Sequence, residues 1–283
     1  MPAKPLLSSL LAREWFRIPV RRPERSLTLL RIAVAVLLLV HPLHAFLHAE
    51  DRAALAQVLT AHHLPGALAW GVLLLQTACS LALLTSRGTL AAGVGHLLVL
   101  GTGTLMLEAP YWFVVGGAVV PGHRGMEYSL LLMAALAAVL WGRRAPARGL
   151  DLIRVAAAAI LVIHPLHGFY DYRNLGPFGH SFDDVTFHHG LALVYLMLAT
   201  QTVCCLALLA RRFVVPACAG HLFILGMGVW LAHWPDWFVV GPGSGGMEYS
   251  VLLMASFTAL LLAHWPARAV APDFIEAPLA ETP

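Results

Sequence analysis

Two histidine pairs recur at matching places in the two halves of this 283-residue chain. His41 and His44 lie in the block HPLHAF, and His164 and His167 lie in the block HPLHGF. The three-residue spacing places both imidazoles of a pair on one face of a helix. Neutral imidazole binds transition metals and accepts protons near neutral pH, so these residues are candidates for either chemistry.

Other polar residues also match between the halves, inside or beside long apolar runs. The matched pairs are His63 and His188, Gln76 and Gln201, His96 and His221, Glu127 and Glu248, and Tyr128 and Tyr249. Ionisable groups in a membrane are costly and usually face a bundle interior or a cavity. We therefore take the four paired histidines, His63, His188 and both glutamates as candidate catalytic residues, and the remaining matched residues as candidate cofactor-binding residues.

The candidate catalytic residues are expected to gather at the outer ends of the helices, one cluster in each half. Three uses of such a cluster are open: it binds a metal ion, it holds and deprotonates a quinol head group, or it only ties the helices together. No H-E-x-x-H zinc motif is present to favour the first use. Glu108 in the first half is replaced by His233 in the second, so only one half is expected to keep a working site.

His96 and His221 are predicted to lie deeper, each alone on its helix. A facing pair of histidines is a common axial ligand set for haem iron. The alternative is that each imidazole is hydrogen-bonded to Gln76 or Gln201 or to a backbone carbonyl. Spacing alone does not decide between a haem site and a structural role.

The elements that must position these residues are long apolar helices. Four ordered blocks recur after 121 to 125 residues, among them QTACSLALL at 76–84 and QTVCCLALL at 201–209. Each copy contains four apolar stretches close to the ~20 residues that span a bilayer. They lie near 29–47, 65–85, 89–107 and 126–141, and near 152–169, 190–210, 213–231 and 247–263. This pattern predicts an all-α polytopic membrane protein of two parallel four-helix repeats, about eight transmembrane helices.

Composition supports a membrane environment. The chain is 59% hydrophobic and 12% charged, with a mean hydropathy of +0.75, whereas soluble domains carry about 25% charged residues. The net charge of +3 gives no reason to expect nucleic acid as a partner. No P-loop, Rossmann fingerprint or nucleophile elbow is present, which argues against ATPases, soluble-cofactor dehydrogenases and hydrolases.

Arginines mark alternate connections between the predicted helices, which favours a cytoplasmic location for both termini. We divide the chain into a basic amphipathic cytoplasmic arm (1–27), a first four-helix unit (28–145), a second unit (150–265) and a cytoplasmic tail (266–283). Arg31 and Arg154 match between the units and are predicted to reach the inner headgroups. The predicted location is the bacterial inner membrane.

The order of motifs resembles the DoxX-like family of small four-helix membrane proteins. The resemblance is carried by the aromatic WFVVG block, the glycine-rich turn and the GMEY sequence that opens the last helix of each unit, at 125–128 and 246–249. It implies a helical bundle and an association with quinone-linked membrane redox systems. The expected function is thus that of a redox-associated subunit with bound quinone and with membrane or periplasmic redox partners. A non-catalytic accessory subunit is the alternative.

Overall fold

A computed structural model describes residues 20–109, 111–112, 125–170, 175–180, 182–186, 188–239 and 246–266. All regular structure in these ranges is helical. The helices are α1 Pro23–Leu47, α2 Ala49–Ala61, α3 Leu68–Leu84, α4 Thr89–Gly103, α5 Glu127–Gly142, α6 Pro146–Leu161, α7 Ile163–Tyr170, α8 Leu175–His180, α9 Asp183–Thr186, α10 Gly190–Leu209, α11 Val214–Gly228 and α12 Glu248–His264. The all-α prediction is confirmed for the described part of the chain.

Five helical segments are long and apolar enough to cross a membrane. They are Pro23–Leu47, Thr89–Glu108, Pro146–Tyr170, Gly190–Leu209 and Val214–Leu231. The other three predicted spans form the shorter apolar helices α3, α5 and α12, of 16 or 17 residues. Large apolar side chains such as Leu98, Phe223 and Trp230 are about two-thirds exposed on the helix surfaces. Together these features indicate a membrane protein.

Several helices begin or end away from the predicted bounds. α1 starts at Pro23, where proline suits the first helical turn, so the last residues of the predicted 1–27 arm are helical. The rest of that arm up to residue 19, and the tail from 267, lie outside the described residues. α6 also starts early, at Pro146, and it ends before Val162. Pro165 has no N–H for the carbonyl of Leu161, which accounts for that interruption.

Helices α2, α8 and α9 were not predicted from the sequence. α2 follows directly after α1 and starts with Glu50 and Asp51 in its first turn, where acidic side chains favour the helix dipole. Its sequence is too polar and too short to register as a membrane span. It forms one wall of the cavity described below.

The centre of the molecule is formed by α1, α5, α6 and α12, which pack against one another and share one apolar core. α3 and α4 pack outside α1 and α5, and α10 and α11 pack outside α6 and α12. A close approach of α5 and α6 is made possible by Gly149, because a Cβ atom there would lie 2.4 Å from the carbonyl oxygen of Ala138. In this arrangement the end of α1 lies beside the start of α12, and the end of α5 lies beside the start of α6.

Arg31 and Arg154 each donate hydrogen bonds to the end of a neighbouring helix. The guanidinium of Arg31 donates to the carbonyls of Leu83 and Leu84 at the end of α3. Arg154, which is buried, donates to the carbonyls of Leu208 and Leu209 at the end of α10. The last carbonyls of a helix lack partners within it, so both arginines satisfy a neighbouring helix end.

Candidate functional site

The two matched glutamates are fully buried, and each contacts a histidine of the other half. Nε2 of His164 lies 2.6 Å from Oε2 of Glu127, and Nε2 of His41 lies 2.8 Å from Oε2 of Glu248. Both carboxylates have no exposed surface. The structure thus brings together four of the predicted catalytic residues, as two separate imidazole–carboxylate pairs.

This pairing differs from the expectation that each half forms its own cluster. Glu127 and His41 both belong to the first half, yet neither takes the other as its hydrogen-bond partner. The reason is helix packing: α12 packs against α1, which places Glu248 beside His41, and Glu127 at the start of α5 contacts His164 of α7. A sequence pattern within one half cannot show that each glutamate takes its histidine partner from the other half.

Neighbouring groups hold both carboxylates in place. The backbone N–H of Val239 donates to Oε1 of Glu248 at 2.8 Å. The hydroxyl of Tyr249 lies 3.5 Å from Oε2 of Glu127, and the rings of Tyr128 and Tyr249 meet edge to face with centroids 6.0 Å apart. The two predicted tyrosines therefore lie between the two imidazole–carboxylate pairs.

A cavity of about 520 Å³ opens beside His41. Its polar lining comes from His41, His44, Asp51, Gln76, Glu108, Tyr128 and Ser129, and Phe238 closes one side. Leucines of α1, α3, α4 and α5 complete the wall. A few polar groups in a largely apolar cavity of this size are typical of small-molecule sites.

Glu108 is the most buried carboxylate of the cavity lining, with 7% of its surface exposed. It lies at the end of a π-helical turn, Thr104–Glu108, and its Oε1 accepts a 2.8 Å hydrogen bond from the hydroxyl of Ser129. π-Helical turns are frequent at functional sites because they redirect side chains. His233 ends a second such turn, Val229–His233, so the substitution noticed in the sequence falls at equivalent backbone positions.

Asp51 lies on α2 at the mouth of the same cavity. Nδ1 of His44 lies 2.7 Å from Oδ2 of Asp51, and the rings of His44 and His48 stack with centroids 3.8 Å apart. Phe238 contacts His44 edge to face at 4.5 Å. Asp51, Ser129 and Phe238 were missed by the sequence reasoning. Asp51 has no matching acid in the second half, Ser129 was overlooked beside Glu127 and Tyr128, and Phe238 is apolar.

Three predicted catalytic residues belong neither to the cavity lining nor to the two imidazole–carboxylate pairs. His63 and His188 are exposed in turns, where both adopt positive φ angles. His167 is half-buried near the end of α7 and does not line the cavity. Of the predicted cofactor-binding glutamines, Gln76 lines the cavity, while Gln201 is half-buried on α10.

His96 and His221 are completely buried, each beside a small side chain of the neighbouring helix. Nε2 of His96 lies 3.1 Å from Oγ of Ser80, and Nε2 of His221 lies 3.6 Å from Sγ of Cys205. His221 also stacks on Phe257 with centroids 4.6 Å apart. Their expected glutamine partners are thus replaced by residues one helical turn further on. In both rings Nε2 faces this small side chain, so the contact made by each histidine is with the neighbouring helix and not with a glutamine.

Known proteins give no further guide to this site. Neither a family model, a curated protein nor a solved structure matches the chain. The geometry of the cavity and of the imidazole–carboxylate pairs is therefore the basis for the function.

Proposed function

We propose that the chain is an eight-span protein of the bacterial inner membrane, built from two parallel four-helix units with both termini in the cytoplasm. Helices α3, α5 and α12 complete the eight spans, because 16 or 17 residues extend about 25 Å at 1.5 Å per residue. A short span is accommodated by local thinning of the bilayer. The arginine-rich connections support the orientation.

Within this membrane protein, the cavity beside His41 binds a quinone head group. The observation that carries the proposal is the combination of its size, about 520 Å³, with leucine walls and a polar patch of imidazole, amide, hydroxyl and carboxylate groups. The leucines suit the apolar ring and its tail, and the polar groups suit the two ring oxygens. The resemblance to the DoxX-like family, whose relatives take part in quinone-linked reactions, points to the same ligand.

The residues of the chain would position the ring and accept its protons. The hydroxyl of Ser129 donates to Glu108, which orients this carboxylate at the cavity wall. His44 is paired with Asp51, and His41 is paired with Glu248, so each imidazole that accepts a proton has a carboxylate to stabilise the resulting charge. A bound quinol supplies two protons and two electrons on oxidation, and the electrons require a redox partner protein.

Quinone binding to the purified protein tests this proposal. A short-chain quinone is titrated into the full-length protein in detergent, and binding is followed by tryptophan fluorescence. Replacing Glu108 with Gln removes a charged hydrogen-bond partner worth about 1.5–3 kcal/mol and should weaken binding about 10- to 100-fold. Replacing Ala54 with Trp at the exposed mouth of the cavity should block binding without burying a new group in the core.

Glu24→Gln is the matched control, because Glu24 is exposed at the far end of α1. It should bind the quinone like the unmodified protein. Equal affinity in all three variants, or no binding by the unmodified protein, would contradict the quinone site.

A non-catalytic accessory subunit is the second candidate, and the exchanged imidazole–carboxylate pairs favour it. These pairs join the halves through buried groups, as expected for a rigid scaffold. Replacing Glu127 and Glu248 together by Ala separates the two functions. Loss of folded protein with unchanged activity per folded molecule supports the scaffold, whereas loss of activity in a folded variant supports the redox subunit.

A further inference from the structure

His44, His48 and Asp51 form a cluster of three ligand-type side chains where α1 meets α2. One ligand atom from each lies within 4.8 Å of the others, and all three residues are partly buried. Within the described ranges of the chain, no other group of three such residues has its ligand atoms so near one another. We propose that this cluster is a binding site for a divalent transition-metal ion of the Zn²⁺ type; it shares His44 and Asp51 with the proposed quinone cavity but is argued from the geometry of the cluster alone.

The hydrogen bond of His48 leaves its other ring nitrogen suited to a metal. Nδ1 of His48 lies 2.9 Å from the backbone carbonyl of His44. A carbonyl oxygen only accepts, so Nδ1 carries the proton and Nε2 carries the lone pair. Metal-binding histidines usually have the second nitrogen fixed in this way by a carbonyl or carboxylate.

The contact between His44 and Asp51 is where an ion would replace a proton. Nδ1 of His44 lies 2.7 Å from Oδ2 of Asp51. Zinc–nitrogen and zinc–oxygen bonds of about 2.0–2.2 Å at a tetrahedral angle place the two ligand atoms about 3.4 Å apart. Binding therefore requires these atoms to separate by about 0.7 Å and releases the shared proton, as metal binding to protonated ligands does.

The stacked imidazoles must also turn, because a metal ion lies in the plane of each imidazole that binds it. His48 occupies the single non-helical position between α1 and α2, so its side chain is held by one helix end and not within a continuous helix. Two imidazoles and one carboxylate are an established zinc ligand set that leaves a fourth position open. His44 and Asp51 line the cavity, and the open position is therefore expected on the cavity side.

The second half carries a different set at the corresponding sequence positions. His167 matches His44, but Asp171 and Asn174 stand where the first half has His48 and Asp51. An amide is a poor zinc ligand compared with imidazole or carboxylate. We therefore expect one ion per chain, not two.

Metal titration of the full-length protein in detergent tests the site. The chelator-treated protein is titrated with Co²⁺, whose visible absorption is intense in tetrahedral and weak in octahedral sites, and then with Zn²⁺ in competition. One tetrahedral Co²⁺ per chain, displaced by Zn²⁺, is the expected result. His48→Ala and Asp51→Asn should each weaken binding by about 100-fold or more, since loss of even an outer partner costs 10- to 100-fold.

His180→Ala is the matched control, because His180 forms a similarly short 2.8 Å pair with Asp183 but has no third ligand among the residues that the structure describes. It should keep the full affinity, and Glu108→Gln should keep it too, which separates the metal site from the quinone site. Thermal melting confirms that each variant is folded. Unchanged affinity in a folded His48→Ala or Asp51→Asn variant, or no tetrahedral Co²⁺ in the unmodified protein, would overturn the proposal.

Discussion

Nε2 of His41 and Oε2 of Glu248 are 2.8 Å apart, although the two residues are 207 positions apart in the chain. Glu127 and His164 make the corresponding contact at 2.6 Å. In both contacts the carboxylate is fully buried, while the histidine is about one-quarter exposed. Each buried carboxylate therefore has one partly exposed imidazole among its partners.

Replacing His164 with Ala should strongly destabilise the protein. It leaves the buried carboxylate of Glu127 without its imidazole, and removing one member of a buried pair costs roughly 3–5 kcal/mol. The variant His164→Ala with Glu127→Gln should be less destabilised, since a neutral amide costs less to bury. Reversible unfolding in mixed detergent micelles measures both. His62→Ala, at an exposed position, should change stability by no more than about 0.5 kcal/mol; an effect as small for His164→Ala would refute the prediction.

Arg154→Ala should lower stability more than Arg31→Ala. Arg154 is buried, donates to helix-end carbonyls and contacts Asp151 at 3.1 Å, whereas Arg31 is half-buried. Loss of a charged hydrogen bond costs about 1.5–3 kcal/mol. Thermal melting in detergent gives the order, with the exposed Arg87→Ala as control. The reverse order would favour the headgroup role first expected from the sequence.

Gly149→Ala should disrupt the crossing of α5 and α6. The added methyl group would lie 2.4 Å from the carbonyl oxygen of Ala138 and 2.9 Å from Cα of Gly142. Both are backbone atoms, and displacing them costs more free energy than displacing the end of a flexible side chain. Gly71→Ala on α3 is the control, because nothing lies within 4 Å of a Cβ there; helix propensity predicts a gain of about 0.5–1 kcal/mol. Melting temperatures should therefore move in opposite directions. Similar melting temperatures for the two variants would contradict the tight crossing.

Asp183 should make a contribution to stability that is lost in acid. The hydrogen bond from His180, together with the backbone N–H of Gly190, lowers the pKa of Asp183. A carboxyl whose pKa is lowered by folding stabilises the protein above its unfolded pKa of about 3.9, and the contribution disappears as pH falls through the folded value. The stability difference between the unmodified protein and Asp183→Asn should thus shrink as the pH falls below about 4. A difference that is independent of pH would contradict it.

Much of the fold could be predicted because the helix-forming segments carry strong local signals. The predicted stretches 190–210 and 247–263 correspond to α10, Gly190–Leu209, and α12, Glu248–His264. α2 could not be recognised in the same way, because its charged and alanine-rich sequence has no membrane-span character. Helix length was also less certain than helix position, and three of the eight predicted spans are shorter than a typical crossing.

The site could be predicted only in part. Matching residues identified His41, Gln76 and Tyr128, which line the cavity, but matching excludes any residue present in one half alone. Asp51 and Ser129 contact His44 and Glu108 in the cavity lining, yet Asp51 has Asn174 as its counterpart and Ser129 was overlooked beside Glu127 and Tyr128. Periodicity gives the face of a helix on which a residue lies, while the neighbour across that face is set by packing between distant segments.

The exchange of histidine partners has a consequence for the ancestry of the chain. A protein consisting of residues 28–145 alone would enclose Glu127 without the imidazole that it contacts here, and would present His41 with no acid beside it. Such a protein is expected to associate as a symmetric pair, in which each molecule provides the base for the other. In a chain that joined two such copies, positions such as Glu108 and His233 could diverge, which identical molecules in a homodimer cannot do.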